Sequence, residues 1–290
     1  MPLSVTMRPG EDNPDSRPML LPFSKLELAG ATAFVTTRHG GVSLRPFASL
    51  NLGDHVGDRR EDVLANRRIL AEALGISPAS LVFVDQVHGA HVLRVHDSAS
   101  SSSASSSDDM KPCADAMITD EPGLCLCIMV ADCVPILLYD PRKRAIGAAH
   151  AGWRGTVADI AGRTVRAMEE AFGSEPFDML AAIGPSIGPE DFEVGPEVCK
   201  AFQGAYPDHW PELIRAGEGD RSRIDLWRAN ALQLETAGIA SERIEIAGIS
   251  TLSQSDDFFS YRAEGGRTGR FTAGIFVPDS KMEQAAQRLR

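Results

Sequence analysis

Long apolar segments are missing from this sequence. No apolar run approaches the ~20 residues that a helix needs to cross a lipid bilayer. The first residues, which are rich in Pro, Asp, Glu and Arg, lack the apolar stretch of a secretory signal peptide. We therefore predict a cytoplasmic protein with no membrane partner.

Basic charge is also scarce. The chain has 29 Lys and Arg against 40 Asp and Glu, which gives a formal net charge of −11. Non-specific binding to nucleic acid needs the opposite balance, so we expect no nucleic-acid partner. An anionic small molecule would need a locally basic pocket.

The cysteines do not form a recognisable framework. Their number is odd and no two are spaced C-x-x-C, which argues against a set of disulfides and against a structural zinc site of four cysteines. Cys125 and Cys127 share one face of a predicted strand, where we expect them to be core residues. The five positions are Cys113, Cys125, Cys127, Cys133 and Cys199.

The length and composition favour one large globular domain. The chain has 290 residues, of which 43% are hydrophobic and 24% charged. Residues 1–17 are predicted to form a disordered tail, and residues 18–290 a single catalytic domain. The run SASSSSASSS at 98–107 cannot bury apolar area, so we predict a surface loop there.

Strand and helix patterns are mixed along the chain without strict alternation, which predicts an α+β fold over a parallel α/β sheet. Helices are predicted at 60–75, 156–172 and 225–238, and strands at 33–37, 81–89, 124–130, 134–139, 144–150, 243–249 and 269–277. Residues 179–188 are predicted as a strand that runs into a Gly/Pro loop.

A predicted hairpin indicates a pair of metal ligands. DPRK is a strong turn sequence, and if the turn is centred between Pro141 and Arg142, Cys133 and His150 lie directly opposite each other. Opposed Cβ atoms on adjacent antiparallel strands are roughly 4.5–5.5 Å apart. This spacing suits a thiolate and an imidazole that bind one ion.

The DQVHG segment contains a candidate third ligand. His88 ends the strand of DQVHG, and Gly89 lets the chain turn close to the site. Three nitrogen and sulfur ligands leave a fourth position open, as in catalytic zinc. His91 is the rival, although Val92 and Val95 indicate that its strand carries it elsewhere.

The segment AGWRG follows His150 and precedes a helix predicted to start near Thr156. Backbone N–H groups at a helix start, together with Arg154, are typical of an anion site. Two roles for Trp153 are equally consistent with the sequence: its ring stacks on a planar ligand, or it is an ordinary core residue.

Ordered motifs covering about residues 30–278 resemble the YfiH-like, laccase-domain family of zinc-dependent purine nucleoside phosphorylases. In that family the zinc ligands are the His of QVHG, the Cys of ADC and the His of HAGWRG, which implies His88, Cys133 and His150 here. The motifs are TTRHGGVS, SLNLGDHVGD, DQVHG, CADAMITDEPG, ADCVP, AAHAGWRG, IGPSIG and FFSYR…TGR.

The resemblance implies a fold and a set of activities. The fold is a layered α/β/β/α sandwich of mixed, largely antiparallel sheets. The activities are cleavage of adenosine, inosine, guanosine and methylthioadenosine with phosphate, and deamination of adenosine. The chain departs from the family in its Ser-rich insertion, and at Ser250-Thr251, where relatives often carry Cys-Thr.

Further residues are candidates for the reaction. Asp132, beside Cys133, would act as a proton shuttle or as a carboxylate that orients a ligand. Arg154 would hold phosphate. Candidates for lining the purine or ribose pocket, which would otherwise hold loops together, are Arg38, Asn51, Arg262 and Arg270.

Other classes compete with this interpretation. Two His and one Cys also form the blue-copper ligand set, but the seven His include no H-x-H pair of the kind that multicopper chemistry needs. A cysteine hydrolase or amidase would use Cys133 as nucleophile with His88 or His150 as base, and a cell-wall precursor is the substrate considered for it. A non-enzymatic binding module would not need three convergent ligands.

Overall fold

The computed structural model describes residues 19–96 and 111–279 of the chain. The predicted tail at 1–17 and the predicted Ser-rich loop at 98–107 lie outside the described residues. The strands are β1 (Leu20–Pro22), β2 (Thr32–Thr36), β3 (Leu81–Val82), β4 (Val92–Arg94), β5 (Ala116–Thr119), β6 (Cys125–Val130), β7 (Val134–Asp140), β8 (Ala145–Ala151), β9 (Leu180–Ile183), β10 (Glu193–Val194), β11 (Ile214–Ala216), β12 (Ser222–Ile224), β13 (Ile244–Ile246) and β14 (Phe271–Phe276). The helices are α1 (Ser24–Leu28), α2 (Arg60–Leu74), α3 (Trp153–Val157), α4 (Ile160–Phe172), α5 (Pro196–Ala205), α6 (Trp210–Leu213) and α7 (Leu226–Thr236).

Two large sheets organise the chain. The first has the order β1-β2-β14-β6-β3 and the second β13-β9-β7-β8-β5-β4, beside a small sheet β10-β12-β11. Parallel pairing occurs in the pairs β3–β6, β4–β5 and β9–β13, each at an edge of its sheet. The other pairs are antiparallel. The predicted α+β fold of mixed, largely antiparallel sheets is therefore confirmed.

The layers follow from strands that are apolar on both faces. On β6, Leu126 and Ile128 point into the core between the two sheets, whereas Cys125 and Cys127 point to the outer face, where α2 packs. The outer face of the second sheet is covered by α4 and α7, with Met168 among the buried contacts. The order of layers is α/β/β/α, as expected.

The register of the predicted hairpin was wrong by two residues. Pro135, and not Cys133, lies opposite His150, because β7 continues to Asp140, which pairs with Ala145. Side chains alternate with a period of two, so an even shift leaves Cys133 on the predicted face. The two side chains are therefore diagonal neighbours and not an opposed pair.

The turn chemistry explains the shift. The Asp140 carboxylate accepts hydrogen bonds from the backbone N–H groups of Arg142 (2.8 Å) and Lys143 (3.2 Å). This side-chain turn makes PRKR at 141–144 the connection between β7 and β8. Asp140 thus ends the strand instead of starting the turn.

Two other predicted elements also need correction. The helix predicted at 156–172 begins earlier, at Trp153, and is interrupted at Asp159, whose φ of 62° is left-handed, before α4 starts. The strand predicted over 81–89 ends at Val82. Within the described ranges, no helix combines the length and apolar character needed to cross a membrane.

Candidate metal centre

The three predicted ligands meet where the chain passes from the first sheet to the second. Cys133 lies in the short link between β6 and β7, His150 is near the end of β8, and His88 lies in the loop after β3. Their ligand atoms all lie within 4.8 Å of one another. His91 is exposed and is not part of this cluster. We call His88, Cys133 and His150 the donor cluster.

Gly152 makes room for the donor cluster. A Cβ atom at this position would lie 3.1 Å from the Cys133 Sγ and 3.2 Å from the His88 Cδ2. Both distances are tighter than ordinary van der Waals contact, so any larger residue would push donors apart. The glycine of the HAGWRG motif is therefore a steric requirement of the cluster.

Asp115 holds two of the ligands, a role that the sequence did not indicate. Its buried carboxylate lies 2.9 Å from the His150 Nδ1 and accepts backbone hydrogen bonds from His88 (2.9 Å) and Gly89 (2.6 Å). Because a carboxylate accepts, Nδ1 carries a proton, so Nε2 is the nitrogen that binds a metal once its own proton is displaced. The two backbone bonds also hold His88 at its left-handed φ of 60°.

Asp115 belongs to the CADAMITD segment, but no residue spacing relates it to the ligands. It is 27 residues from His88 and 35 from His150 along the chain. Only the pairing of β5 with β8 brings it to the Nδ1 edge of the His150 ring. The sequence offered one indication of this role: an acidic residue directly before an apolar strand, Ala116–Thr119.

Electrostatics favour the ligating form of the thiol. Burial raises the pKa of Cys133, but the lowering effect of His150 and His88 is larger and brings it to about 6. Burial lowers the pKa of His150, but the Cys133 thiolate and Asp115 raise it, to about 9. Cys133 is thus a thiolate at neutral pH, which is the form of cysteine that binds metals.

Gln86 is a second residue that sequence reasoning missed. Its side-chain Nε2 donates to the Met129 carbonyl, and its Oε1 accepts from the Met129 N–H, both at 2.8 Å. The side-chain amide of Gln86 thus makes the two hydrogen bonds that a pair of strands would make through their main chains, and it joins the loop after β3 to β6. It therefore fixes the DQVHG segment, which carries His88, against the first sheet.

The donor cluster lines a cavity of about 460 Å³. That volume is within the range of small-molecule sites. Apolar and aromatic side chains form much of the wall, and the polar groups are few. The lining residues outside the donor cluster are His55, Gln86, Met129, Val130, Ala131, Asp132, Gly152, Trp153, Ile187, Phe192, Leu226, Tyr261, Arg262 and Arg270.

Asp132 lies in the cavity wall, but its carboxylate already accepts three hydrogen bonds from the protein. Oδ1 accepts hydrogen bonds from the hydroxyls of Thr251 and Ser260, and Oδ2 accepts from the backbone N–H of Arg262, all at 2.7 Å. The residue therefore joins the link between the sheets to two parts of the connection between β13 and β14. Of the two predicted roles, this arrangement favours positioning over proton transfer.

Arg38 and Asn51 lie outside the cavity lining. Arg38 donates to the carbonyls of Ala48 (3.0 Å) and Ser255 (2.8 Å) and to the Glu264 carboxylate (3.0 Å). It therefore holds loops together, the alternative that the sequence left open. Asn51 is fully buried, and its Oδ1 accepts from the backbone N–H of Arg270 at 2.8 Å.

Arg154 is also outside the lining. Its exposed guanidinium lies over the ring of its neighbour Trp153, 4.3 Å from the centroid. This position, on the five-residue helix α3, gives no support to the expected phosphate role. Trp153 itself faces the cavity, and so do Arg262 and Arg270.

The fold and the site define a class of protein: a layered α+β sandwich with two imidazoles and a thiolate converging in a cavity at the junction of its sheets. Among the described residues, the donor cluster is the one group of three or more His, Cys, Asp or Glu side chains arranged to hold a metal.

Comparisons with known proteins agree with this class. The family described as multi-copper polyphenol oxidoreductase laccase matches residues 32–278. A Bacteroides thetaiotaomicron protein named purine nucleoside phosphorylase is 44% identical over 244 residues, covering 84% of this chain and 90% of that protein. The crystal structure of YlmD from Geobacillus stearothermophilus has a TM-score of 0.82 at 40% identity and covers 87% of this chain and 93% of that chain.

A crystal structure of the Bacillus licheniformis hypothetical protein YfiH has a TM-score of 0.85 at 34% identity and covers 91% of this chain and 98% of that chain. The chain therefore belongs to the YfiH-like family that carries the laccase description, as its motifs indicated.

Proposed function

We propose that this protein is a zinc-dependent purine nucleoside phosphorylase with adenosine deaminase activity, acting in the cytoplasm. The observation that carries the proposal is the donor cluster, whose nitrogen and sulfur atoms converge in a cavity large enough for a nucleoside. The names of relatives such as the Bacteroides thetaiotaomicron protein support the substrate class.

The residues present fit a zinc ion. His88, Cys133 and His150 supply a donor set that zinc prefers, Gly152 leaves them room to converge, and Asp115 directs the Nε2 of His150 toward the cluster. When bound, zinc would supply Lewis-acid chemistry to a water or substrate oxygen in the cavity. The protein orients the ligands and surrounds the reactants with apolar walls.

Phosphorolysis would transfer the ribosyl group from a purine to phosphate. An oxygen of HPO4²⁻ forms a bond to C1′ while the C1′–N9 bond breaks, and its electron pair goes to the base. The proton that the phosphate releases goes to the base, so a free purine is formed together with ribose 1-phosphate, or with 5-methylthioribose 1-phosphate from methylthioadenosine. Adenosine, inosine, guanosine and methylthioadenosine are the proposed nucleosides.

Deamination would use the same cavity with water in place of phosphate. Water adds to C6 of adenosine, the bond from C6 to the amino nitrogen breaks, and ammonia leaves as inosine forms. The aromatic rings of Trp153 and Phe192 in the cavity wall are suited to contact a purine in either reaction.

One observation favours a second candidate, a cysteine hydrolase or amidase. Asp115, His150 and Cys133 follow one another in contact, in the order of a carboxylate, a base and a nucleophile. His88 on the other side of the thiolate has no role in such a triad, whereas it completes a metal site. A multicopper oxidase has less support, because the described residues contain one donor cluster.

Metal exchange tests the proposal. We expect chelator treatment to abolish both phosphate-dependent release of hypoxanthine from inosine and ammonia release from adenosine, and Zn²⁺ to restore both. Cu²⁺ should restore neither, and polyphenol-dependent oxygen uptake should be absent. Activities that survive complete removal of the metal would contradict the proposal and favour the cysteine hydrolase.

A further inference from the structure

The cavity contains a cation close to the donor cluster, Arg270. It directly precedes β14, and Phe271 of that strand pairs with Val130 at the end of β6. Continuing the same register places Arg270 at the end of the first sheet from which Asp132 and Cys133 follow. Arg270 and both of these residues line the cavity.

The Arg270 side chain is held in one orientation. Its aliphatic stem packs against Gly53, where an added Cβ would lie 2.8 Å from the Arg270 Cγ. Its backbone N–H is bound by the buried Asn51. Its Nη1 donates to the carbonyls of Thr268 (3.1 Å) and Gly269 (2.9 Å). The guanidinium is thus preorganised by the motifs SLNLG and TGR.

One edge of this guanidinium is unused by the protein. Within residues 19–96 and 111–279, no acceptor forms a hydrogen bond or ion pair with the Nε or Nη2 of Arg270. These two atoms form the edge that binds two oxygens of a carboxylate or phosphate side by side. A half-buried cation with a free edge attracts an anion more strongly than an exposed one does, because less solvent screens its charge.

The other arginines near the site are less suitable. Arg262 is exposed, and its Nη1 donates to the Glu193 carbonyl at 3.2 Å. Arg154 is exposed, and its guanidinium stacks on Trp153 outside the lining. The one carboxylate in the lining, on Asp132, already accepts three hydrogen bonds, which disperse its charge.

We propose that Arg270 binds inorganic phosphate in the cavity, through its Nε and Nη2, beside the donor cluster. This assignment rests on the proposed phosphorylase function, in which phosphate is the anionic reactant and the nucleoside is neutral. The Tyr261 ring, 5.8 Å from the Arg270 Cζ, flanks the same subsite. Asn51, expected from the sequence to contact substrate, becomes the residue that positions Arg270.

The test compares Arg270→Met and Arg270→Lys with Arg267→Met in the zinc-loaded protein. Arg267 is exposed and is three residues away in the same loop, which makes it a matched control. We expect Arg270→Met to weaken binding of inorganic phosphate, measured by calorimetry, and to raise the KM for phosphate, both by roughly 10- to 100-fold. The KM for inosine, the zinc content and adenosine deamination should change by less than about twofold, because none of them involves this contact.

Arg270→Lys should fall between the wild type and Arg270→Met, because lysine keeps the charge but not the two-atom edge. It also keeps the packing against Gly53, so it tests the proposal if the methionine variant fails to fold. Unchanged phosphate binding in both variants would overturn the proposal, as would equal loss of zinc, inosine binding and phosphate binding. A stronger effect of Arg154→Met on the KM for phosphate would also overturn it.

Failure of the phosphorylase function would look different. If the wild-type protein cleaves no nucleoside yet binds inorganic phosphate in an Arg270-dependent manner, the anion site stands and the proposed function is wrong. If the protein cleaves inosine with phosphate and Arg270→Met leaves phosphate binding unchanged, the function stands and the assignment of Arg270 is wrong.

Discussion

A pair of cysteines and a single cysteine lie toward opposite ends of β6, and they differ in what surrounds them. Cys125 and Cys127 are fully buried beneath α2, with their Sγ atoms 3.7 Å apart among the apolar side chains of the outer layer. Cys133, just beyond the other end of the strand, is flanked by two imidazoles and faces a cavity.

The same residue type therefore acquires opposite properties. Burial raises the pKa of the Cys125 thiol well above its ordinary value, and Cys127 adds to the effect. Burial acts in the same direction on Cys133, but His150 and His88 outweigh it and bring that pKa to about 6. Neighbouring imidazoles, and not burial, decide which thiol is suited to bind a metal.

The largest effect is expected when the ligating thiol is removed. Cys133→Ser replaces a thiolate with a hydroxyl that stays protonated, so zinc content should fall from about one per chain to below about 0.1. Elemental analysis after gel filtration measures this. Both proposed nucleoside activities should be lost with the metal.

The buried pair provides the matched control. Cys127→Ala removes a sulfur of the same kind from the outer layer, where we expect a stability loss of about 1 kcal/mol from the small cavity and full zinc content. If Cys127→Ala lost zinc as Cys133→Ser does, or if Cys133→Ser kept it, the contrast between the two regions would be wrong.

A smaller effect is expected from the carboxylate behind the cluster. Asp115→Asn keeps the shape but weakens the hold on the Nδ1–H of His150, so zinc affinity should fall roughly 10- to 100-fold. Competition with a chromogenic chelator measures this affinity. Asp120→Asn, at the exposed end of the same strand, removes only a 3.5 Å contact with Arg94 and should leave the affinity unchanged.

Equal affinities in the Asp115 and Asp120 variants would show that Asp115 does not position His150. A loss of folding in Asp115→Asn would be seen as a lower melting temperature of the metal-free protein. Zinc affinity is therefore compared only between variants that melt cooperatively.

The smallest effect is expected from Asp54, whose ion-pair partner is Arg67. Arg67 packs in the outer layer, where its guanidinium lies over the Phe83 ring. Burial raises the pKa of Asp54, but His55, Arg67 and Lys111 lower it more, so that the net pKa is well below its ordinary value. A lowered carboxylate pKa stabilises the fold above the unfolded-state pKa of about 4, and this stability is lost as the pH falls further.

Asp54→Asn should therefore cost about 1 kcal/mol of unfolding free energy at pH 7, since the partly exposed pair is screened by solvent. The difference from the wild type should shrink at about pH 3. Urea denaturation at the two pH values measures both quantities. A difference that stays constant with pH would show that Asp54 acts through packing and not through its charge.

The fold was largely predictable because its signals are local. The run LCLCIMV predicted a strand buried on both faces, and β6 is such a strand between the two layers. Gly75 predicted the end of α2, and it takes a left-handed φ of 68° there. The strand predicted over 81–89 failed because the Gln86 side chain, and not a main-chain ladder, joins this segment to β6.

The hairpin shows a prediction that was useful although its register was wrong. DPRK indicates a turn, but the sequence does not show whether Asp140 begins the turn or ends the strand. Because the shift was even, Cys133 and His150 stayed on one face and the two candidate ligands remained close together. A shift by one residue would have separated them.

Residue types and short spacings predicted the α+β class and the candidate ligands Cys133 and His150, with His88 or His91 as the third, whereas the layered order and the choice of His88 also rested on the family resemblance. Only the tertiary structure decided that Asp115 supports His150, that Asp132 is occupied by three donors, and that Arg270 rather than Arg154 faces the cavity. These roles depend on which distant strands pair, and a side chain's free or occupied atoms are set by those contacts, which no local pattern records.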